Sequence, residues 1–158
     1  MKKYFTFLIC LLLFISCKKE VSETLIYNKV VQDYSNIFSE NEEIKLSEKI
    51  INYEKLTTNQ ICIYTIDAIP NNETILDYAT NLSNNLGVGT KEKDNGLLIL
   101  ISKFDREMAI STGIGTEKTI TDSIAKAIIK ETIVPKFKDS FYFKGINIGL
   151  DSIFLKWN

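Results

Sequence analysis

The chain has 158 residues with 19 basic and 20 acidic side chains, a formal net charge of −1 and no histidine. The missing imidazole excludes a Ser-His-Asp or Cys-His catalytic pair and the usual histidine-rich zinc site. What remains is oxygen chemistry, in which carboxylates, carbonyls and water suit hard cations such as Ca²⁺ or Mg²⁺. There is no basic block beyond Lys18-Lys19, so the charge pattern excludes nucleic acid as a partner.

Lys2 and Lys3 precede an apolar run from Tyr4 to Ile15. That run is short for a membrane span of about 20 residues and suits a secretory signal. It closes on Phe14-Ile15-Ser16-Cys17, which resembles the lipobox of bacterial lipoproteins, where the cysteine becomes lipidated and then N-terminal. Phe14 departs from the usual Leu, and an uncleaved anchor helix would tether the chain equally well. The expected division is residues 1–16 as signal peptide, 17–29 as a flexible lipid-anchored tether and 30–158 as one domain. Loss of Lys2 and Lys3 leaves 17 basic against 20 acidic residues. The protein is thus expected to be exported and membrane-tethered in the cell envelope, on the periplasmic face or the outer membrane. Lys18, in place of an Asp after Cys17, favours the outer membrane.

The domain begins near Val30-Val31-Gln32-Asp33. Ser39 with Glu42 makes a capping box, and Ile44, Ser47, Ile50 and Ile51 share a helical face, which predicts a helix over about 41–55. A strand over 61–66 follows. A second helix starts near Glu73, carries Ile75, Leu76, Ala79, Leu82 and Leu86 at helical spacing, and ends at Gly87. Leu97 to Ser102 is apolar on both faces until Ser102 and reads as a buried central strand. Residues 107–112 return as its hairpin partner. Thr121 or Thr119 caps a third helix that Pro135 ends near Val134, and a last helix covers about 140–155. The fold class is α/β, with one sheet flanked by helices.

Lys93-Asp94-Asn95-Gly96 stands directly before the most apolar strand, aiming a carboxylate and a tight turn at its mouth. Asn and Gly tolerate positive φ, so the same residues also make an ordinary structural turn. Arg106 is the single arginine of the chain. A guanidinium beside carboxylates clamps phosphate in a bidentate fashion, and a hairpin pairing with Asp105 or Glu107 is the alternative. Gly113-Ile114-Gly115 lacks the spacing of a dinucleotide fingerprint. Cys62 is the one cysteine left once Cys10 leaves with the signal and Cys17 takes lipid, so the mature chain forms no internal disulfide. Its apolar neighbours suit a buried thiol better than a nucleophile.

Val31-Gln32-Asp33, Asn36-Ile37-Phe38-Ser39, Gly87-Val88-Gly89, Lys93 to Leu98, Arg106, Gly113-Ile114-Gly115, Thr121-Asp122 and Pro135-Lys136-Phe137 with Tyr142 and Gly145 resemble the TPM domain family. That family includes a thylakoid lumen acid phosphatase, a photosystem II repair factor and many exported bacterial proteins. The resemblance covers about residues 30–150 and implies a single-domain α/β/α sandwich. It also implies, as in some members, a divalent cation near the acidic loops. Carried over by motif, the metal ligands would be Asp94, Asp122 and Asp33. Helix capping accounts for Asp122 equally well, and loop chemistry for Asp33.

Two functions follow. In one, the domain is an interaction or assembly module for envelope proteins, with Ca²⁺ or Mg²⁺ stiffening its loops. In the other, Asp94 and Asp122 hold the cation and Arg106 steadies developing charge in a metal-assisted phosphatase acting on phosphate monoesters. The first is the reading preferred here, because the chain offers no nucleophile or histidine base.

Overall fold

The computed structural model describes residues 30–70 and 73–158. The signal peptide, the lipid on Cys17 and the tether are readings of residues 1–29 and lie outside the described residues. No described helix is long and apolar enough to cross a membrane.

Four strands form one sheet in the order β1 (Val31–Asp33), β2 (Gln60–Ile66), β3 (Gly96–Ser102) and β4 (Glu107–Thr112). β1, β2 and β3 are parallel, with Val31 opposite Ile63 and Gln60 opposite Gly96. β4 returns antiparallel, with Leu97 opposite Thr112, as a hairpin reading of 107–112 requires. Every residue of β3 is buried, because side chains alternate between two covered faces.

On one face, Ile61, Ile63, Leu97, Ile99 and Ile101 pack with Leu46 and Ile50 of helix α1 (Glu40–Thr57) and with Ile146, Leu150 and Ile153 of the C-terminal helix. On the other, Cys62, Leu98, Leu100 and Ala109 meet Ala79, Tyr78 and Leu82 of helix α2 (Ile75–Leu86). The result is the expected α/β/α sandwich. α1 starts with Glu42 accepting from the Ser39 amide at 2.8 Å, and α2 ends at Gly87 with φ +66°, so both boundary signals act as their chemistry demands.

Beyond β4 come α3 (Ile114–Glu117), which periodicity did not reveal, and α4 (Asp122–Ala127), capped by Thr121. Pro135 does not end this helical run. A π-helical stretch (Ile128–Ile133) widens the turn before it, with Val134 N–H bonding Ile129 O, and α5 (Val134–Lys138) carries the proline in its first turn, where no amide is needed. The C-terminal helix α6 (Tyr142–Lys156) presents Gly145 and Gly149 to the Phe137 ring and the Ile133 side chain. A methyl group at either position would lie within 2.9 Å of them. Trp157 then closes the chain against α1, its carbonyl accepting from the Tyr53 hydroxyl and from Asn59 Nδ2.

Candidate functional site

The sheet has two polar edges, and they separate the residues that the sequence suggested would converge. Strand amino ends and the ends of α1 and α2 lie at one edge. The carboxyl ends of the three parallel strands, where open α/β sheets bind ligands, lie at the other.

Lys93-Asp94-Asn95-Gly96 occupies the amino edge and acts there through its backbone and Asn95. Asp94 has φ +46° and an exposed side chain. Its carbonyl accepts from the amides of Gly115 at 3.1 Å and Thr116 at 3.2 Å, tying β3 to the first turn of α3. Asn95 is buried: its amide donates to Thr58 O at 2.6 Å, and its Oδ1 accepts from Thr90 N at 3.0 Å. The glycines around the turn permit this approach. A Cβ on Gly115 would stand 1.8 Å from Lys93 O, and one on Gly96 2.0 Å from Val88 O, distances at which backbone must move. Asp122 is exposed in the first turn of α4, two residues beyond the bond from Ile120 N to Thr116 O.

Asp33 stands at the opposite edge. It pairs in register with Thr65, which faces Ile101, whereas Gly96 faces Gln60. Five residues of strand separate the two levels, about 17 Å at the usual rise. A cation bound at about 2.3–2.6 Å therefore cannot join Asp33 to Asp94. Among the described residues no group of three or more carboxylates or cysteines is placed to hold a metal ion. Arg106 also belongs to the carboxyl edge, in the β3–β4 hairpin with φ +58°. It is thus set apart from Asp94 and does not flank a phosphate bound there. Asp105 gives its carboxylate to the Ser102 hydroxyl at 2.6 Å and the Ile69 amide at 2.7 Å, not to Arg106, and these bonds hold its pKa below the ordinary range.

The carboxyl edge is more organised. Asp33 Oδ1 accepts from the Thr65 hydroxyl at 2.5 Å and Oδ2 from the Phe38 amide at 2.8 Å. Thr65 Oγ1 in turn accepts from Ser35 N at 3.0 Å. Lys103 reaches across from the β3–β4 hairpin to donate to Ser35 O at 2.7 Å, so the loops after β1 and β3 are clasped together. Glu43, in the first turn of α1, has its pKa raised by burial, then by the charges of Asp33 and Glu40. The charge of Asp33, at the end of β1, therefore reaches Glu43 at the start of α1. Glu43, Thr65, Ser35 and Lys103 escape sequence reasoning. Glu43 is one of several acids in a helix start, and the one available signal at Thr65 is a hydroxyl late in an otherwise apolar strand.

Cys62 sits beneath α2, and burial pushes its pKa up to about 12. It is a core residue and not a nucleophile.

The sequence matches the TPM domain family over residues 31–155. No curated protein gives a significant match. Among solved structures, the chain is similar to the N-terminal domain of a protein from P.gingivalis at 22% identity, covering 82% of each chain with TM-score 0.74. It is similar to the BA42 protein of the psychrophilic bacterium Bizionia argentinensis at 19% identity, over 79% of this chain and 88% of that one, with TM-score 0.63. The N-terminal domain of cg2496 from Corynebacterium glutamicum shares 13% identity over 91% of this chain and 86% of its own, with TM-score 0.64. At these identities the likeness is one of fold. From its match over residues 31–155, this chain belongs to the TPM domain family.

Proposed function

We propose that this chain is an exported, Cys17-lipidated TPM-domain protein of the cell envelope, in which the carboxyl edge of the sheet binds a divalent cation and presents it to an envelope protein partner. The observation that carries the reading is the Asp33–Glu43 pair. Burial and then the charge of Asp33 raise the proton affinity of Glu43, and a cation held between two such carboxylates relieves the repulsion. Mg²⁺ is commonly held by one or two carboxylates with water completing its octahedron, and Ca²⁺ accepts the same oxygen donors. Asp33 keeps lone pairs free after accepting from Thr65 and Phe38, and those two bonds fix its orientation in advance. The donor chemistry therefore fits a hard cation. When bound, the cation would neutralise the pair and supply open coordination positions, while Lys103 and Thr65 hold the two loops in place.

The reading is tested by calorimetric titration of the protein with MgCl₂ and CaCl₂. Asp33→Asn and Glu43→Gln should each weaken binding at least tenfold, and Asp94→Asn should leave it unchanged. Equal loss in Asp94→Asn, or no binding by the unaltered chain, contradicts it. Adding an aryl phosphate to the same samples separates this reading from the phosphatase alternative, which requires metal-dependent turnover.

A further inference from the structure

The amino edge of the sheet gathers an unusual set of exposed aliphatic side chains. Leu56 is 86% exposed, Leu155 80% and Ile114 72%. They come from three separate elements, the last turns of α1 and α6 and the first turn of α3. Three hydrogen-bond links place those turns together. Asn95 bonds Thr58 just beyond α1, Asn59 bonds Trp157 at the end of α6, and Gly115 of α3 bonds Asp94. Leu86, 41% exposed at the end of α2, lies at the same edge.

Two exposed aromatics at the opposite edge, Tyr34 and Phe104, have neighbours. Tyr34 lies 5.0 Å from the Tyr64 ring, and Phe104 has Lys103 Nζ 5.7 Å from its centroid.

We propose that the amino edge is a membrane-docking surface, with Leu56, Ile114 and Leu155 inserted into the interface of the bilayer that holds the acylated Cys17. This inference rests on the lipidation reading above. β1 runs from the amino edge toward the carboxyl edge, so the first described residue, Val30, lies on the amino side. Twelve residues, 18 to 29, separate Cys17 from the described domain and reach at most about 43 Å when extended. Held within that radius, the edge meets the bilayer at a high effective concentration, and weak apolar contacts suffice to dock it. Exposed Lys55, Lys93 and Lys156 can meet headgroups, while Glu92, Asp94 and Glu117 share the edge. The apolar side chains, and not net charge, therefore supply the contact. Docking in this orientation turns Asp33 and Glu43 away from the lipid, toward a partner.

Trp157, the single tryptophan, is buried at this edge beside the last turn of α6 and reports on it through short-range bromine quenching. The full chain, expressed with its leader and extracted from membranes, is reconstituted into vesicles of phosphatidylethanolamine and phosphatidylglycerol with brominated acyl chains. Trp157 fluorescence should fall by at least a third relative to unbrominated vesicles. The combined variant Leu56→Asp, Ile114→Asp and Leu155→Asp should lose that quenching yet stay on the vesicles through its lipid, and Tyr34→Ser should behave as the unaltered chain. The mass of the N-terminal peptide reports acylation independently. An acylated, vesicle-bound chain without quenching overturns the docking inference alone. A chain with no acyl group on Cys17 overturns the tether and the docking together. Should the triple variant not fold, the quenching of the unaltered chain decides.

Discussion

Asn95 donates its side-chain amide to the Thr58 carbonyl at 2.6 Å, joining the loop that enters β3 to the end of α1. Its Oδ1 holds Thr90, so one buried side chain fixes both neighbours of the turn. Removing it leaves the Thr58 carbonyl without that donor, a cost of about 1–3 kcal/mol. Asn95→Ala should lower stability in chemical denaturation by that amount. Asp94→Ala, at an exposed side chain, should change it far less.

The glycines of this edge make a sharper case. A Cβ on Gly115 would stand 1.8 Å from Lys93 O and 3.0 Å from Asp94 O. Gly115→Ala should cost at least about 1–3 kcal/mol, the range for overpacking, and lower the midpoint of thermal unfolding. Gly87→Ala meets no atom within 4 Å, so its cost comes from φ +66° alone and should be the smaller of the two.

Glu43 gives a pH signature. Burial and the neighbouring Asp33 and Glu40 raise its folded pKa above the unfolded value. The folded state then binds the proton more tightly, so stability is fullest below the unfolded pKa and declines as pH rises through the folded one. Glu43→Gln abolishes this decline. Its stability relative to the unaltered chain should rise between acid and neutral pH, as followed by denaturation midpoints, and Mg²⁺ should restore the unaltered chain at neutral pH.

Cys62, with its pKa pushed up to about 12 by burial, should resist alkylation by iodoacetamide at pH 8 in the folded chain. It should react on addition of denaturant, as read by mass spectrometry of its peptide.

Much of this architecture is legible in the sequence. The capping residues Ser39 and Thr121, the Gly87 terminus and the apolar run after Gly96 each act through local chemistry, and they mark the boundaries of α1, α4, α2 and β3. β1 is three residues long and α3 four, too short for periodicity to register. The run through Pro135 needs a π turn that depends on packing against Gly145 and Gly149. Site residues are harder to read because the level of a carboxylate along a sheet follows from register. Asp33 and Asp94 look equivalent as loop acids, yet one ends its strand and the other precedes its own. Glu43 becomes informative only once α1 folds back over β1.

The most direct test of the account is a titration of ¹⁵N-labelled protein with MgCl₂, followed through its backbone amide shifts. The account predicts saturable shifts at Asp33, Ser35, Phe38, Glu43 and Thr65, lost in Asp33→Asn, with Thr90 to Gly96 and Asp122 unmoved. Saturable shifts centred on Asp94 and Asp122, with residues 33–43 silent, would contradict it.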